Sequence, residues 1–222
     1  MSYRYSLTFL GLLLVTVGLF ERGWLLLAVW LGCNFLALGI AHACGIHRIF
    51  GKRPDGVLPA WSWLIYLPLF LYTGAVWHVA RLISREPALN TVTKDLVVGR
   101  RLLSGELNEE FANYIDLTAE FAEPTAIRRS AGYLPFPILD GSAPDPKALR
   151  EFLDRLRPGK TFVHCAQGHG RTGLFAVAFL LKSGTAPTAG ECLVRLQSVR
   201  SGIHLNKDQR MCVDEFAALL KS

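Results

Sequence analysis

The run His-Cys-Ala-Gln-Gly-His-Gly-Arg-Thr-Gly at residues 164–173 determines how the rest of this 222-residue chain is interpreted. It follows Thr-Phe-Val at residues 161–163, which predicts a buried strand, and it leads into an apolar pattern with helical spacing. A loop between a strand and the start of a helix turns successive backbone N–H groups toward an anion. Gly168 and Gly170 permit the positive φ angles that such a loop needs. The run is therefore predicted to be a phosphate-binding loop.

Three side chains in this run have the chemistry of phosphoryl transfer. The field of the loop favours the thiolate form of Cys165, which is the nucleophilic form and can attack phosphorus in line. The planar guanidinium of Arg171 matches two phosphate oxygens at once. The hydroxyl of Thr172 can donate a hydrogen bond to the sulfur and help it to leave in a second step. These residue types at this spacing predict a phosphatase.

The remaining residues of the run are candidates for binding the substrate or supporting the loop. The candidates for substrate binding lie between the cysteine and the arginine: Ala166, Gln167, Gly168, His169 and Gly170. His169 would either face the substrate, where it would add a titratable positive charge, or point to solvent. His164, on the strand before the cysteine, is expected to support the loop through hydrogen bonds of its ring.

The pattern His-Cys-x5-Arg-Thr-Gly at residues 164–173 resembles the signature of the cysteine-dependent protein tyrosine phosphatase superfamily. The small size and the simple order of strands are similar to the dual-specificity branch of that superfamily, and the resemblance extends from about residue 94 to the C-terminus. It implies a phosphocysteine intermediate. It also implies an aspartate, on a separate loop, that acts first as the general acid and then as the base for the hydrolytic water. We expect neither a metal nor another cofactor.

Asp140 is the candidate for that general acid. It lies in Pro-Ile-Leu-Asp-Gly-Ser-Ala-Pro, residues 137–144, upstream of the cysteine and just after a predicted strand. The flanking prolines and glycine predict a mobile loop, and this order and context match the general-acid loop of the superfamily. Asp145 is the alternative, but Pro146 follows it, and an aspartate before a proline is typical of a helix N-cap.

Strands and helices alternate from about residue 90 onward. Short extended segments predict strands at residues 95–99, 113–117, 133–136 and 161–164. Capping residues and helical spacing predict helices that begin at Asp145, Arg171, Thr188 and Asn206. This alternation predicts an α/β fold for the phosphatase domain at residues 84–222, in which a central sheet is flanked by helices on both faces.

The N-terminal third carries charge-free apolar runs at residues 6–20, 24–44 and 60–80. Helices in soluble cores rarely stay uncharged for so long, and the second run is long enough to cross a bilayer. The turn between the first two runs is tight, so they predict a helical hairpin. Pro68 predicts a kink in the third run or a shallow position for it. Residues 1–83 are thus predicted to be an α-helical transmembrane segment, a membrane anchor of two or three apolar helices, and the bilayer is a predicted partner.

The basic residues leave the orientation of this anchor open. With three spans and a cytosolic C-terminus, Arg48, Lys52 and Arg53 would lie outside, against the positive-inside rule. If the third run is re-entrant or interfacial, these residues and the basic cluster at residues 81–101 are both cytosolic. We expect a multi-pass protein of the cell (inner) membrane with a cytoplasmic catalytic domain, because the chemistry needs a reduced cysteine. The five cysteines do not suggest a disulfide framework.

The net charge of +6 and the mean hydropathy of +0.29 suit a membrane protein with an anionic partner. No basic patch interleaved with aromatic residues favours nucleic acid. The favoured substrates are proteins that carry phosphotyrosine, phosphoserine or phosphothreonine. The alternatives are a membrane lipid, inositol or sugar phosphate, for example phosphatidylglycerophosphate, and, with less support, arsenate reduction or phosphate binding without turnover. Ala166 and His169 stand where tensin-type lipid phosphatases carry lysines inside the loop, which disfavours a polyphosphoinositide.

Overall fold

The computed structural model describes residues 3–21 and 23–221, with Tyr3 described by its backbone alone. The chain begins with three long helices: α1 (Tyr3–Glu21), α2 (Leu26–Cys44) and α3 (Ala60–Ile83). A short 3₁₀ turn, Gly23–Leu25, joins α1 to α2. All three helices are long and apolar enough to cross a membrane. The predicted apolar runs are therefore confirmed as helices.

Glycines let α1 and α2 pack closely against each other as a hairpin. A Cβ added at Gly32 of α2 would lie 2.8 Å from the carbonyl oxygen of Gly11 in α1, and one at Gly39 would lie 2.5 Å from the hydroxyl of Thr8. Small residues at helix contacts are typical of membrane helices, which associate through close packing. The outward faces carry large exposed apolar side chains, such as Leu27. The two helices thus form the predicted hairpin.

α3 is kinked at Tyr66, whose backbone angles (φ −104°, ψ 15°) are not helical. The kink lies next to Pro68, which lacks the N–H of a regular helical hydrogen bond. Two side chains of α2 brace it, since Trp30 Nε1 and Asn34 Nδ2 donate to the Ile65 carbonyl at 2.7 and 3.0 Å. The kink that the proline predicts is therefore present.

The rest of the chain, called here the α/β part, is built on a five-stranded sheet. Its strands are β1 (Leu89–Thr93), β2 (Leu96–Arg100), β3 (Asn113–Thr118), β4 (Tyr133–Ile138) and β5 (Thr161–Cys165). Their order across the sheet is β1-β2-β5-β3-β4; β1 is antiparallel to β2, and the other neighbours are parallel. The four predicted strands are confirmed. The edge strand β1 has no counterpart among them, because Leu-Asn-Thr-Val-Thr carries only two large apolar residues.

Helices flank this sheet on both faces, though unequally. They are α4 (Thr125–Arg128), α5 (Pro146–Asp154), α6 (Gly170–Lys182), α7 (Ala189–Val199) and α8 (Lys207–Leu219). The four longer helices bury the main apolar core against one face. The one-turn helix α4 covers the other face with a smaller apolar cluster. The predicted α/β fold, a central sheet flanked by helices, is therefore confirmed.

Side-chain caps begin three of these helices where the sequence predicts them. Asp145, Thr188 and Asn206 each accept a hydrogen bond from the backbone N–H three residues further on. Such caps satisfy N–H groups that the helix itself leaves without partners. Asp145 is thus the N-cap of α5, which leaves Asp140 as the acidic side chain on the loop after β4.

Candidate active site

The run at residues 164–173 forms the connection between β5 and α6. Cys165 is the last residue of β5 and only 4% exposed, and Gly170 is the first residue of α6. The Gly168 N–H donates to Sγ of Cys165 at 3.3 Å. Gly168 has a φ of +77°, and a Cβ there would lie 2.3 Å from the carbonyl oxygen of Gly99, so both torsion and space require glycine. The strand, loop and helix that the sequence predicts are present.

The carbonyl groups of this loop are held on its outer side. The Ala166 carbonyl accepts a hydrogen bond from the indole Nε1 of Trp77, in α3, at 2.9 Å. Arg200 donates to the carbonyls of Gln167 and Gly168, at 2.8 and 3.0 Å. Because the C=O and N–H of a trans peptide point in opposite directions, the following N–H groups are turned to the inner side. A loop with this geometry at the start of a helix can receive an anion.

Arg171 is buried, and its guanidinium reaches the carboxyl ends of β3 and β4. Its Nη1 and Nη2 donate to the Glu120 carboxylate at 2.9 and 2.8 Å, and Nη1 also donates to the Ile138 carbonyl at 2.9 Å. Burial lowers the pKa of Arg171, but the carboxylates of Glu120 and Asp140 raise it well above its ordinary value. The buried Nε has no hydrogen-bond partner among the residues described. That edge of the guanidinium can therefore donate to a phosphate oxygen.

Asp140 borders the mouth of the loop. Its Oδ1 lies 3.1 Å from Nη2 of Arg171, and its side chain is 64% exposed. An acidic side chain at the entrance is placed to exchange a proton with a group that enters or leaves. The structure thus brings Asp140 and Arg171 together beside the cysteine loop.

Thr172 and His164 are fully buried on either side of the loop. The Thr172 hydroxyl has no hydrogen-bond partner in the part of the chain that the structure describes. A buried hydroxyl without a hydrogen-bond partner is uncommon. Such a hydroxyl can donate a hydrogen bond to a group that becomes negatively charged in the course of a reaction. Nδ1 of His164 lies 3.3 Å from the Cys165 carbonyl oxygen. Burial lowers the pKa of His164 to about 4, so its ring is neutral at pH 7.

His169 is turned toward Glu86, which lies between α3 and β1. Its Nε2 lies 2.7 Å from the Glu86 carboxylate, which also accepts from the Gly202 N–H at 2.9 Å and pairs with Arg200 at 3.1 Å. Burial raises the pKa of Glu86, but the hydrogen bonds from His169 and Gly202 and the charge of Arg200 lower it below its usual value. His169 therefore lies against an ionised carboxylate on one side of the loop.

A buried lysine from the helical part lies behind the loop. Lys52, between α2 and α3, donates to Asp116 Oδ2 at 2.5 Å and to the carbonyl and hydroxyl of Thr118 at 2.7 and 3.1 Å. The side chains of Lys52 and Asp116 are 1% and 0% exposed. Asp116 also accepts from the Tyr133 hydroxyl at 2.8 Å, and its Oδ1 lies 3.9 Å from Nε2 of His164. The segment after α2 is thus fixed inside the α/β part, next to the residue that precedes Cys165.

Asp116, Glu123 and His164 place ligand atoms within 4.8 Å of one another, a spacing that suits a metal ion. The Lys52 ammonium already supplies a cation there. Burial raises the pKa of Asp116, but the charge of Lys52 outweighs this and holds the pKa below its usual value. Burial and the charge of Asp116 raise the pKa of Glu123 to about 8, and Arg101 pairs with Glu123 at 2.7 Å. The Lys52–Asp116 ion pair therefore supplies the charge balance of this cluster, and Arg101 lies beside Glu123.

A cavity of about 240 Å³ opens beside the loop. The α/β part lines it with polar side chains, namely Glu120, Asp140, Gln167 and Arg171. The N-terminal helices line it with mainly apolar side chains, including Leu7 of α1, Phe35 and Leu38 of α2, and Leu69 and Val76 of α3, together with His42, Tyr72 and Thr73. The cavity therefore combines a guanidinium that can bind an anion with a mainly apolar wall.

The sequence analysis did not find four residues that contact this site: Lys52, Trp77, Glu86 and Glu120. Glu120 lies just after the carboxyl end of β3, and ligand-binding groups gather at the carboxyl ends of parallel strands. This position could have indicated from the sequence that Glu120 belongs to the site. The other three come from the helical part or the segment after it. No local pattern marks them, because each contact joins residues more than 60 positions apart in the chain.

No protein-family model and no curated protein matches this chain. Solved structures match its fold. Tk-PTP in its active form is 26% identical, with a TM-score of 0.53 over 60% of this chain and 97% of Tk-PTP. PTPMT1 in complex with PI(5)P is 16% identical, with a TM-score of 0.53 over 61% of this chain and 97% of PTPMT1. Human DUSP28 is 14% identical, with a TM-score of 0.52 over 61% and 97% of the two chains.

These matches identify the fold as that of the protein tyrosine and dual-specificity phosphatases. Each match covers nearly all of the other protein but only about 60% of this chain.

The Lys52–Asp116 pair should contribute strongly to stability. Lys52→Met leaves the buried Asp116 carboxylate without its cation, and breaking such a pair costs about 3–5 kcal/mol. The matched control is Arg53→Met, because the neighbouring Arg53–Asp55 pair is 60% and 48% exposed and should contribute less than about 1 kcal/mol. Thermal unfolding of the full chain in detergent measures both. Equal small losses for the two variants would contradict a structural role for Lys52.

Buried His164 should make stability fall at acid pH. Its pKa is lowered from 6.5 to about 4, so the unfolded chain binds more protons in this window. The free energy of unfolding therefore decreases as the pH falls from 6.5 toward 4, by up to about 1.4 kcal/mol per pH unit from this group. His164→Gln should lose that part of the slope when denaturant unfolding is measured across the window. An unchanged slope would show that His164 is not held neutral.

Proposed function

We propose that this protein is a membrane-anchored phosphatase that removes a terminal phosphate monoester from a membrane phospholipid through a phosphocysteine at Cys165. The observation that carries this proposal is the cavity, which is lined both by Arg171 and by apolar side chains of α1, α2 and α3. A phospholipid with a terminal phosphate presents a dianion next to apolar chains, which matches both kinds of lining. In this proposal residues 1–83 are the anchor and residues 84–222 the phosphatase domain.

In the first step the phosphate lies in the cysteine loop, and the loop N–H groups and Arg171 bind its non-bridging oxygens. Sγ of Cys165 attacks phosphorus and forms an S–P bond while the bond from phosphorus to the lipid oxygen breaks. Asp140, as the acid, gives its proton to that oxygen, so the lipid leaves as an alcohol. The position of Asp140 at the mouth supports this role, because the leaving group faces outward.

In the second step water attacks the phosphocysteine. The Asp140 carboxylate takes a proton from the water as the new P–O bond forms, and the S–P bond breaks to release phosphate. The sulfur leaves as a thiolate. Thr172 can donate to it, because its buried hydroxyl has no other hydrogen-bond partner among the residues described. The enzyme returns to its starting state without a metal or a redox partner.

Glu120 orients Arg171 for this reaction. Its two carboxylate oxygens occupy Nη1 and Nη2, which fixes the plane of the guanidinium and leaves the Nε edge for phosphate. A planar cation held in this way loses little side-chain entropy when the substrate binds. The charge balance also matters, since two carboxylates beside Arg171 limit the net positive charge of the site.

That limited charge favours a lipid with one phosphate monoester. Inside the loop, Ala166 is uncharged and His169 is paired with the Glu86 carboxylate. A polyphosphoinositide would bring additional phosphate dianions, and residues 166–170 of the loop carry no lysine or arginine to pair with them. Phosphatidylglycerophosphate or phosphatidic acid carries a single terminal phosphate. PTPMT1, which shares the fold, has been crystallised with the phosphoinositide PI(5)P, so this fold can hold a lipid headgroup.

The sequence alone favours a phosphoprotein substrate, and the apolar wall argues against it. A phosphorylated side chain on a protein brings a polar backbone next to Phe35, Leu38 and Leu69, where most of the lining side chains are apolar and offer it no hydrogen bond. A lipid brings hydrocarbon to the same surface. We further propose that the protein is a multi-pass protein of the cell membrane with its catalytic site in the cytoplasm, where the thiol of Cys165 stays reduced.

The test is phosphate release by the full chain in lipid bilayers. We expect release from phosphatidylglycerophosphate or phosphatidic acid without added metal, and much slower release from phosphotyrosine, phosphoserine and phosphothreonine peptides. Cys165→Ser should abolish release, whereas Cys33→Ser, at an exposed cysteine of α2, should retain it. Asp140→Asn should lower kcat about 100-fold or more on lipids, with a smaller effect on p-nitrophenyl phosphate, whose leaving group needs no proton.

Two outcomes would contradict the proposal in different ways. Full activity of Cys165→Ser would exclude the phosphocysteine mechanism. Faster hydrolysis of the phosphopeptides than of the lipids, with Cys165 still essential, would keep the mechanism and replace the substrate.

A further inference from the structure

Both ends of α3 contact the same α/β part, although its length and composition would let it cross a membrane. Just before α3, Lys52 is buried at Asp116, and a Cβ added at Gly56 would lie 2.3 Å from the Tyr133 hydroxyl. Near its other end, Trp77 donates to the Ala166 carbonyl of the cysteine loop. In the middle, α3 shares an apolar cluster with Ala119 and Leu139 of the α/β part. The chain is therefore held at the α/β part just before α3, in the middle of α3 and near its C-terminal end.

This arrangement is incompatible with a transmembrane α3. The hydrocarbon core of a bilayer is about 30 Å thick, so a helix that crosses it holds its two ends on opposite sides. A folded domain in water can contact only one of those ends. We propose that α3 lies in the plane of the bilayer surface and does not cross the bilayer.

The exposed face of α3 is the surface that this proposal assigns to lipid. Large apolar side chains recur along one side of the helix, and Leu64, Leu71, Val79 and Leu82 are 74%, 64%, 55% and 75% exposed. The buried residues, among them Tyr66, lie on the other side, against protein. An apolar stripe of this length, about 36 Å for the 24 residues of α3, is much larger than monomeric soluble proteins expose. The stripe continues the lipid-type surface of the hairpin, so the same bilayer covers both.

The distribution of basic residues agrees with an in-plane α3. Arg48 and Arg53, between α2 and α3, and Arg85, just after α3, are exposed and lie on the side of the α/β part. Three spans would place Arg48 and Arg53 on the side opposite to Arg85. With α3 in the plane, the positive-inside rule and the charge of anionic headgroups both favour the same side.

This topology has a consequence for the site that rests on the proposed function. The cavity lies between α3 and the cysteine loop, so its apolar wall sits at the depth of the lipid headgroups. A phospholipid would reach Cys165 by lateral movement without leaving the bilayer. The topology itself requires only that the protein binds a bilayer, and its test measures no phosphatase activity.

The test is labelling of single cysteines in sealed membrane vesicles of both orientations with a membrane-impermeant maleimide. The background is the full chain with Cys33→Ser and Cys44→Ser, which removes the exposed native cysteines. The reporters are Arg53→Cys between α2 and α3, Arg85→Cys just after α3 and Lys147→Cys in the α/β part. We expect all three to be labelled from the same side. Labelling of Arg53→Cys from the side opposite to Arg85→Cys and Lys147→Cys would show that α3 crosses the bilayer and would overturn the proposal.

A depth profile along α3 provides a second readout. Leu64→Cys, Leu71→Cys and Leu82→Cys place spin labels at the start, middle and end of its exposed face. An in-plane helix gives three shallow positions of similar depth. A label at residue 71 that is much deeper than both others would show that α3 crosses the bilayer and would overturn the proposal.

Discussion

The buried ion pair between Lys52 and Asp116 anchors the N-terminal helical part of the chain inside the α/β part. Lys52 comes from the segment between α2 and α3. Asp116 lies in the central sheet, beside the strand that ends at Cys165. Removing both groups from water is unfavourable, and the contact persists because each finds full hydrogen bonding in the other and in Thr118. With this segment fixed, α2 and α3 must lie against the end of the sheet where the cysteine loop follows β5.

That constraint makes the helical part a component of the site. Trp77 holds the Ala166 carbonyl on the outer side of the loop, and Glu86, which follows α3, holds His169. The same helices close one side of the cavity beside Arg171 with apolar side chains. The cysteine loop, which we propose as the phosphate site, is thereby bordered by apolar side chains that suit hydrocarbon. In the proposed function the loop provides the reaction, and the wall selects the substrate.

The local features could be predicted from the sequence and the long-range ones could not. The cysteine loop, the strands around it and the caps at Asp145, Thr188 and Asn206 depend on neighbouring residues, so a pattern of a few positions indicates them. Pro68 likewise predicts the kink in α3. Lys52 looks like any loop lysine until the fold places Asp116 beside it. The substrate preference inferred from the loop motif alone was for phosphoproteins, because nothing in the motif shows that membrane-type helices would border the site.

The most direct measurement of the central claim is the ratio of kcat/KM for a soluble short-chain phosphatidic acid to that for glycerol 3-phosphate, which share a phosphate and differ in hydrocarbon. Each buried CH₂ contributes about 0.8 kcal/mol, so four of them should favour the lipid by about 100-fold or more. Val76→Trp, at the cavity wall, should reduce this ratio, whereas Val79→Trp, on the exposed face of α3, should not. A ratio near one in the wild-type protein, or equal ratios in the two variants, would contradict the assignment of the wall to lipid.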